Sequence, residues 1–324
     1  MLPIGNDSAR EALAAAMASG ALHHAWLIAG PQGVGKGSFA RAAALRMLAE
    51  AAEPDALSPG WEIPESTRTA HYASSGAHPD YRELVRLPKD ADKPDEALAR
   101  SITIAQVRSL QALFANKPSL SPRRVIVIDA IDDLERGGAN ALLKSLEEPP
   151  QGTIFLLVSH APGRLLPTIR SRCRLLRFEA LPPSQVAPIL RERLPDATTG
   201  EIEALVRAGE GSPGRALGFA GLDLAALEAE MHALAETGDA SNAIRVRLAK
   251  LLGTKGAQPR YEAFLDRAPT FIAERARTRS GEALRTALDA YAAARDLTGS
   301  ALGLSLDASA TVFEMSGLIA RLAR

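Results

Sequence analysis

The chain has 324 residues, 46% of them hydrophobic and 23% charged, which excludes a disordered or collagen-like polymer and predicts two or three folded domains at roughly 100 to 200 residues each. Lys plus Arg equals Asp plus Glu at 38 each, so no global field draws the chain to nucleic acid or an acidic membrane, and duplex recognition as a stand-alone task is disfavoured. The one cysteine, Cys173, excludes an internal disulfide and a cysteine-cluster zinc site and fits a reducing, cytoplasmic setting.

Asn6, Asp7 and Ser8 offer N-caps for a helix that runs to about Ser19 and stops at Gly20. Its Ala-rich part carries Glu11 and follows no basic stretch, so it reads as a helix and not as a secretory signal. Ala25–Ala29 (AWLIA) reads as a buried strand, followed by a Gly-rich turn and an Ala/Leu/Arg helix over about 35–52. Residues 53–79, rich in Pro, Ser, Gly and Glu, are expected to form a surface loop. A strand over Tyr81–Leu87 and an amphipathic helix over Ile104–Phe114 come next. Val125–Asp129 (VIVID) and Thr153–Ser159 (TIFLLVS) are short apolar runs of the kind found inside a parallel sheet covered on both faces. Between them Ala139–Glu148 forms a helix that Pro149 and Pro150 end, and Leu175–Phe178 is the last strand. Beyond Pro182 the pattern is helical only: Ser184–Arg193, Gly200–Ala208 and Ser212–Ala220, then long Ala/Leu/Arg/Glu helices from Leu222 onward. The chain is therefore α/β over its first half and all-α afterwards, with boundaries near 180 and 221. No run approaches the roughly 18 apolar residues of a membrane span.

The sharpest motif is Gly30–Gly37, G-P-Q-G-V-G-K-G, set between a predicted strand and helix. In a P-loop, glycines let backbone N–H groups wrap phosphate oxygens, the helix N-terminus adds its positive end, and the lysine, here Lys36, reaches the outer phosphates. Gly30, Gly33, Gly35, Lys36 and Gly37 are thus candidate nucleotide-binding residues. The loop is incomplete. Gly37 stands where a Ser or Thr hydroxyl ligates Mg²⁺, and Ser38 is one position late, about 100° round the helix. Asp129 ends its strand where an acid could hold Mg²⁺, but Ala130 stands where related ATPases often place a Glu to polarise water. Asp132 and Asp133 read as a solvated N-cap pair. Missing groups at both positions point to lost hydrolysis.

His23-His24-Ala25-Trp26, Ala139–Pro150 (ANALLKSLEEPP) and Leu165–Cys173 (LLPTIRSRC), together with the degenerate loop, resemble the AAA+ clamp-loader subunits of bacterial DNA polymerase III. The resemblance covers most of residues 4–180. It implies an AAA+ P-loop domain over 1–180, a three-helix lid over 181–221 and a helical oligomerisation collar over 222–324. Ser171-Arg172-Cys173 is similar to the family's Ser-Arg-Cys motif, whose arginine acts in trans as a finger in a neighbour's ATP site; an always-protonated guanidinium stabilises charge on the γ-phosphate. Arg164, Arg170, Arg174 and Arg177 read as a solvated basic edge. The resemblance places Ser159 at a sensor position after the fourth strand and Arg215 in the sensor-2 region.

The implied partners are the gamma/tau and delta subunits in a hetero-pentameric ring, with the sliding clamp and primed DNA reached through the complex and no membrane involved. Any ATP or ADP is expected to bind weakly and without hydrolysis. The zinc module of many such subunits is not expected, since residues 46–80 hold no cysteine and His71 and His78 read as surface residues. Cys173, just before a strand, reads as a small hydrophobe and not as a nucleophile. The competing reading is a self-contained AAA+ ATPase that hydrolyses ATP in its own loop; Gly37 and Ala130 weigh against it.

Overall fold

The computed structural model describes residues 4–20, 22–90, 92, 98–304 and 306–323. In chain order the elements are α1 (Asp7–Ala18), β1 (Ala25–Ala29), α2 (Lys36–Ala52), α3 (Arg68–Ser74), β2 (Tyr81–Val85), α4 (Ile104–Phe114), β3 (Arg124–Asp129), α5 (Arg136–Glu147), β4 (Thr153–Ser159), α6 (Pro167–Arg170) and β5 (Arg174–Arg177). Helices alone follow: α7 (Pro183–Arg193), α8 (Thr199–Gly209), α9 (Pro213–Gly218), α10 (Leu224–Thr237), α11 (Ala243–Leu252), α12 (Gln258–Ala276), α13 (Gly281–Leu304) and α14 (Ala308–Ala320). This α/β sheet domain followed by helices is the architecture that the AAA+ resemblance implies. The chain divides into two compact units, Met1–Ile189 with Gly211–Gly214, and Leu190–Glu210 with Arg215–Arg324. The division falls inside the segment 181–221 and not at its ends.

In the first unit the strands form one parallel sheet in the order β2-β3-β4-β1-β5. The apolar runs become its three central strands because side chains alternate between two covered faces. Trp26, Ile28, Val125, Val127, Leu156 and Val158 pack with Phe39, Ala43 and Met47 of α2. Leu27, Ile126, Ile128, Phe155 and Leu157 pack with Val107 and Leu110 of α4 and Leu142 and Leu146 of α5. The edge strands β2 and β5 are only partly buried, and Leu175 on β5 stays 51% exposed. Parallel register sets the loop after β1, Asp129 at the end of β3 and Ser159 at the end of β4 along the same carboxyl edge, where sheets of this kind bind ligands.

Three local expectations are corrected. Asn6 does sit at the N-cap position of α1, but its side chain makes no cap bond there. Instead Oδ1 accepts the Glu179 amide at 2.7 Å and Nδ2 donates to the Glu179 carbonyl at 3.2 Å, tying the chain start to the segment after β5. Residues 53–79 are not a plain loop. They contain α3 and a turn of 3₁₀ helix at Pro54–Ala56, and the buried Arg46 of α2 donates to the carbonyls of Ser58 and Glu62 at 2.9 and 2.8 Å. His78 is buried, and its Nδ1 accepts the Asp80 amide at 3.2 Å; of the two histidines only His71 is on the surface.

The second unit's core is built from Leu227, Met231 and Leu234 of α10, Leu248 and Leu252 of α11, Phe264, Phe271 and Ile272 of α12, and Val312, Met315 and Ile319 of α14. α13 presents Ala287, Ala290 and Ala294 to this core, small side chains that let its backbone approach α12 closely. A charged group, Arg267, is sealed in with them. Arg267 donates to Glu228 at 2.9 Å and to Glu274 at 3.2 and 2.9 Å; burial opposes its charge, yet the two carboxylates hold it above its ordinary value.

Candidate functional site

The loop after β1 turns through Gly33 and Gly35 at φ 79° and 94°, backbone that side-chain-bearing residues rarely adopt, and delivers Lys36 to the first turn of α2. Lys36 is only 2% exposed, and its ammonium donates to the loop's own carbonyls, Gly30 at 2.6 Å and Pro31 at 2.5 Å. Burial pulls its pKa down to about 8, against the nearby charges of Asp129 and Asp132. On the loop's other flank Ser212 donates to the Gln32 carbonyl at 2.7 Å, and the Gly214 amide donates to that of Gly33 at 2.9 Å. Carbonyl and N–H point oppositely across a trans peptide, so the N–H groups of Gly33 and Val34 are turned away from that flank. The glycines and lysine singled out from the sequence thus lie together in one turn between β1 and α2.

The space where Mg²⁺ chemistry would sit is otherwise furnished. A Cβ on Gly37 would lie 2.0 Å from Oδ2 of Asp129, so the carboxylate already fills the room a Ser or Thr would need. The same oxygen accepts from Arg41 at 3.3 Å, and Arg41 also donates to Glu83 at 2.7 Å. Tyr81 donates to the other Glu83 oxygen at 3.1 Å, and its hydroxyl pKa is pushed up by burial and by Glu83. Burial works against the Arg41 charge, but Glu83 and Asp129 outweigh it and hold the guanidinium above its ordinary value. These residues do not fit a divalent ion. No hydroxyl is available at position 37, and the acid that would face the metal is already paired with a cation.

Asp132 is not a solvated cap. It accepts from the Ser159 hydroxyl at 2.9 Å and from the amides of His160 and Ala161 at 2.6 and 3.2 Å, locking the chain where it leaves β4. Asp133 pairs with Arg86 at 3.1 Å. His160 follows Ser159 into the site; burial and the charge of Lys36 lower its pKa, and its Nδ1 is buried with no hydrogen-bond partner among the described residues. Arg41, Glu83 and His160 were not singled out from the sequence, and Asp132 was read there only as a cap. An arginine one turn after Gly37 on an Ala/Leu/Arg helix carries no signal until the strand ends are placed beside it.

Arg172 lies just past α6, 31% exposed. It donates to the Thr168 carbonyl at 2.8 Å and to Glu147, of the LEEPP stretch, at 2.5 Å. Its neighbours differ in surroundings: Arg174 stands over the Trp26 ring at 5.9 Å, while Arg170 and Arg177 line a cavity of about 650 Å³ with Leu27, Leu175 and Phe178. Arg215 belongs to the second unit, where it pairs with Glu210 and, at 2.8 Å, with Asp266. Cys173 borders the same cavity as Arg170, and burial pushes its thiol pKa up to about 12. Alkylation by iodoacetamide at pH 8 should therefore be at least about a hundredfold slower than in the denatured chain, because the thiolate is the nucleophile and a free cysteine titrates near 8.5. Equal rates in the folded and unfolded chain would contradict this placement.

Among the described residues no cluster of His, Cys, Asp or Glu can hold a metal ion, and no helix is long and apolar enough to cross a membrane. Residues 5–182 match the family described as DNA polymerase III, delta subunit. The chain is 37% identical over 193 residues to the DNA polymerase III subunit delta' of Pseudomonas aeruginosa, a match covering 59% of this chain and 53% of that protein. It is 33% identical over 226 residues to the subunit delta' of Escherichia coli K12, covering 69% and 63%. The chain thus spans between half and two-thirds of the length of these relatives. A solved DNA polymerase III gamma subunit-related protein of Thermotoga maritima aligns over 96% of this chain and 99% of its own at 18% identity, with a TM-score of 0.44.

Proposed function

The chain belongs to the DNA polymerase III delta-subunit family, and from that premise we propose that it serves as a delta-prime subunit of the clamp loader that does not itself hydrolyse ATP. In this reading the helices from residue 222 onward hold it in a hetero-pentameric ring with gamma/tau and delta subunits. Arg172 enters a neighbour's ATP site, and the assembled ring opens the sliding clamp and places it on primed DNA. The observation that carries the non-hydrolysing part is the packing at Gly37, where the Asp129 carboxylate fills the space for a metal-ligating hydroxyl and is paired with Arg41. Phosphoryl transfer depends on a metal that offsets charge and on a group that orients water, and Gly37 and Ala130 supply neither.

The purified chain alone should turn over no more ATP than a mock preparation, and mixed with gamma/tau and delta subunits it should co-elute with them. Turnover abolished by Lys36→Ala would overturn the non-hydrolysing reading. Failure to co-elute would overturn the subunit reading.

A further inference from the structure

We propose that the Arg41 guanidinium takes the place of the divalent cation at this loop, so that the loop binds the phosphate chain of a nucleotide or an inorganic polyphosphate without metal. The inference rests on the non-hydrolysing reading above and extends it from what the site cannot do to what it holds.

Placement is the first argument. Arg41 lies four residues after Gly37 on α2, and therefore on the same face. Its Nη2 is 3.3 Å from where a Cβ on Gly37 would stand, so the guanidinium reaches the place the missing hydroxyl and its ion would share. Its partners are the second argument. Asp129 at 3.3 Å ends β3 and Glu83 at 2.7 Å lies in the middle of the adjacent β2, and left uncompensated these acids would repel an anion seated on Lys36. A guanidinium paired with both offsets one of their two negative charges and needs no ion from solution. The loop, meanwhile, keeps what phosphate recognition requires: the left-handed glycines, the buried Lys36 and the start of a long helix. Lost metal chemistry and retained phosphate geometry are thus served by the same side chain.

The test is equilibrium binding of a fluorescent ADP analogue, methylanthraniloyl-ADP, to the full chain, with excess EDTA or with excess Mg²⁺, and with unlabelled ADP and inorganic tripolyphosphate as competitors. Wild type should bind with the same dissociation constant, within about twofold, in EDTA and in Mg²⁺. Arg41→Ala should bind about tenfold more weakly in EDTA and recover part of the loss when Mg²⁺ is added, because the freed carboxylates then accept the ion. Gain of metal dependence is a readout that mere loosening of the fold does not produce. Arg41→Gln, which keeps most of the side chain's volume, repeats the test should the alanine variant melt at the assay temperature. Competition by tripolyphosphate supports recognition through phosphate alone, and competition by ADP only supports a nucleotide. Wild-type binding strengthened tenfold by Mg²⁺, no binding of either phosphate ligand, or Arg41 variants that match wild type in both conditions would each overturn the proposal. Hydrolysis by the chain alone is scored separately and bears on the reading beneath it.

Discussion

Replacing Arg172 with alanine is expected to leave the chain folded and in the ring while ATP hydrolysis at the neighbouring site falls by about 10³ to 10⁵, the range a trans-acting arginine finger supplies. The folding half of this expectation follows from its surroundings. Arg172 is 31% exposed and its one ionic partner, Glu147, is 48% exposed, so their attraction is screened by solvent and contributes under about 1 kcal/mol. The catalytic half follows from chemistry. A guanidinium presents a planar fork to two phosphate oxygens together, so Arg172→Lys should be nearly as impaired although its charge is kept. Arg174→Ala is the control, since Arg174 covers the Trp26 ring and has no part in the proposed finger. In the proposed ring, total turnover should fall less than turnover at the affected site, since each remaining ATP site would keep its own finger. The measurement is steady-state hydrolysis and clamp loading by the reconstituted complex. Wild-type rates with Arg172→Ala would remove the finger assignment.

The largest stability effect is expected at Arg267. At 4% exposure it is sealed between Glu228, itself 12% exposed, and Glu274. Arg267→Ala leaves the Glu228 carboxylate buried without a counter-charge, and breaking a buried pair in this way costs about 3 to 5 kcal/mol. Glu274→Ala should cost under about 1 kcal/mol, because Glu274 is 39% exposed and Arg267 keeps its other partner. Arg267→Met combined with Glu228→Leu should recover most of the loss, since well-packed apolar side chains replace such a pair at little net cost. Urea unfolding of the full chain, followed by far-UV circular dichroism, orders the three variants. An Arg267→Ala midpoint no lower than that of Glu274→Ala would overturn this expectation.

The central strands were legible because AWLIA, VIVID and TIFLLVS are continuous apolar runs, and a strand buried on both faces leaves no other pattern. Ile104–Phe114 was legible to the residue, with Thr103 and Gln106 forming its capping box. The start of α5 was not. Gly137 and Gly138 argue against a helix by propensity, yet α5 begins at Arg136. Both glycines lie against α4, where a Cβ would stand 3.1 Å from Ile104 and 3.4 Å from Val107. Close helix packing overrode local preference there. The fold of 53–79 was hidden because part of its order comes from the Arg46 side chain of the preceding helix gripping the Ser58 and Glu62 carbonyls, a contact that leaves no periodic pattern. In the candidate site the loop glycines and Lys36 were legible as a motif. Asp129 was legible as a position, but not its pairing, because the cation that meets it lies 88 residues away on another element.

The Gly37 packing also constrains how this sequence can change. A serine or threonine restored at position 37 meets the Asp129 oxygen at once, so that single step loses packing before it gains a ligand. Removing Arg41 first strands two acids without their counter-charge. Neither substitution alone therefore completes a metal site at position 37: the first lacks room for its hydroxyl, and the second frees the acids but supplies no hydroxyl. A loop with both a ligating hydroxyl and an unpaired Asp129 carboxylate requires changes at positions 37 and 41 together.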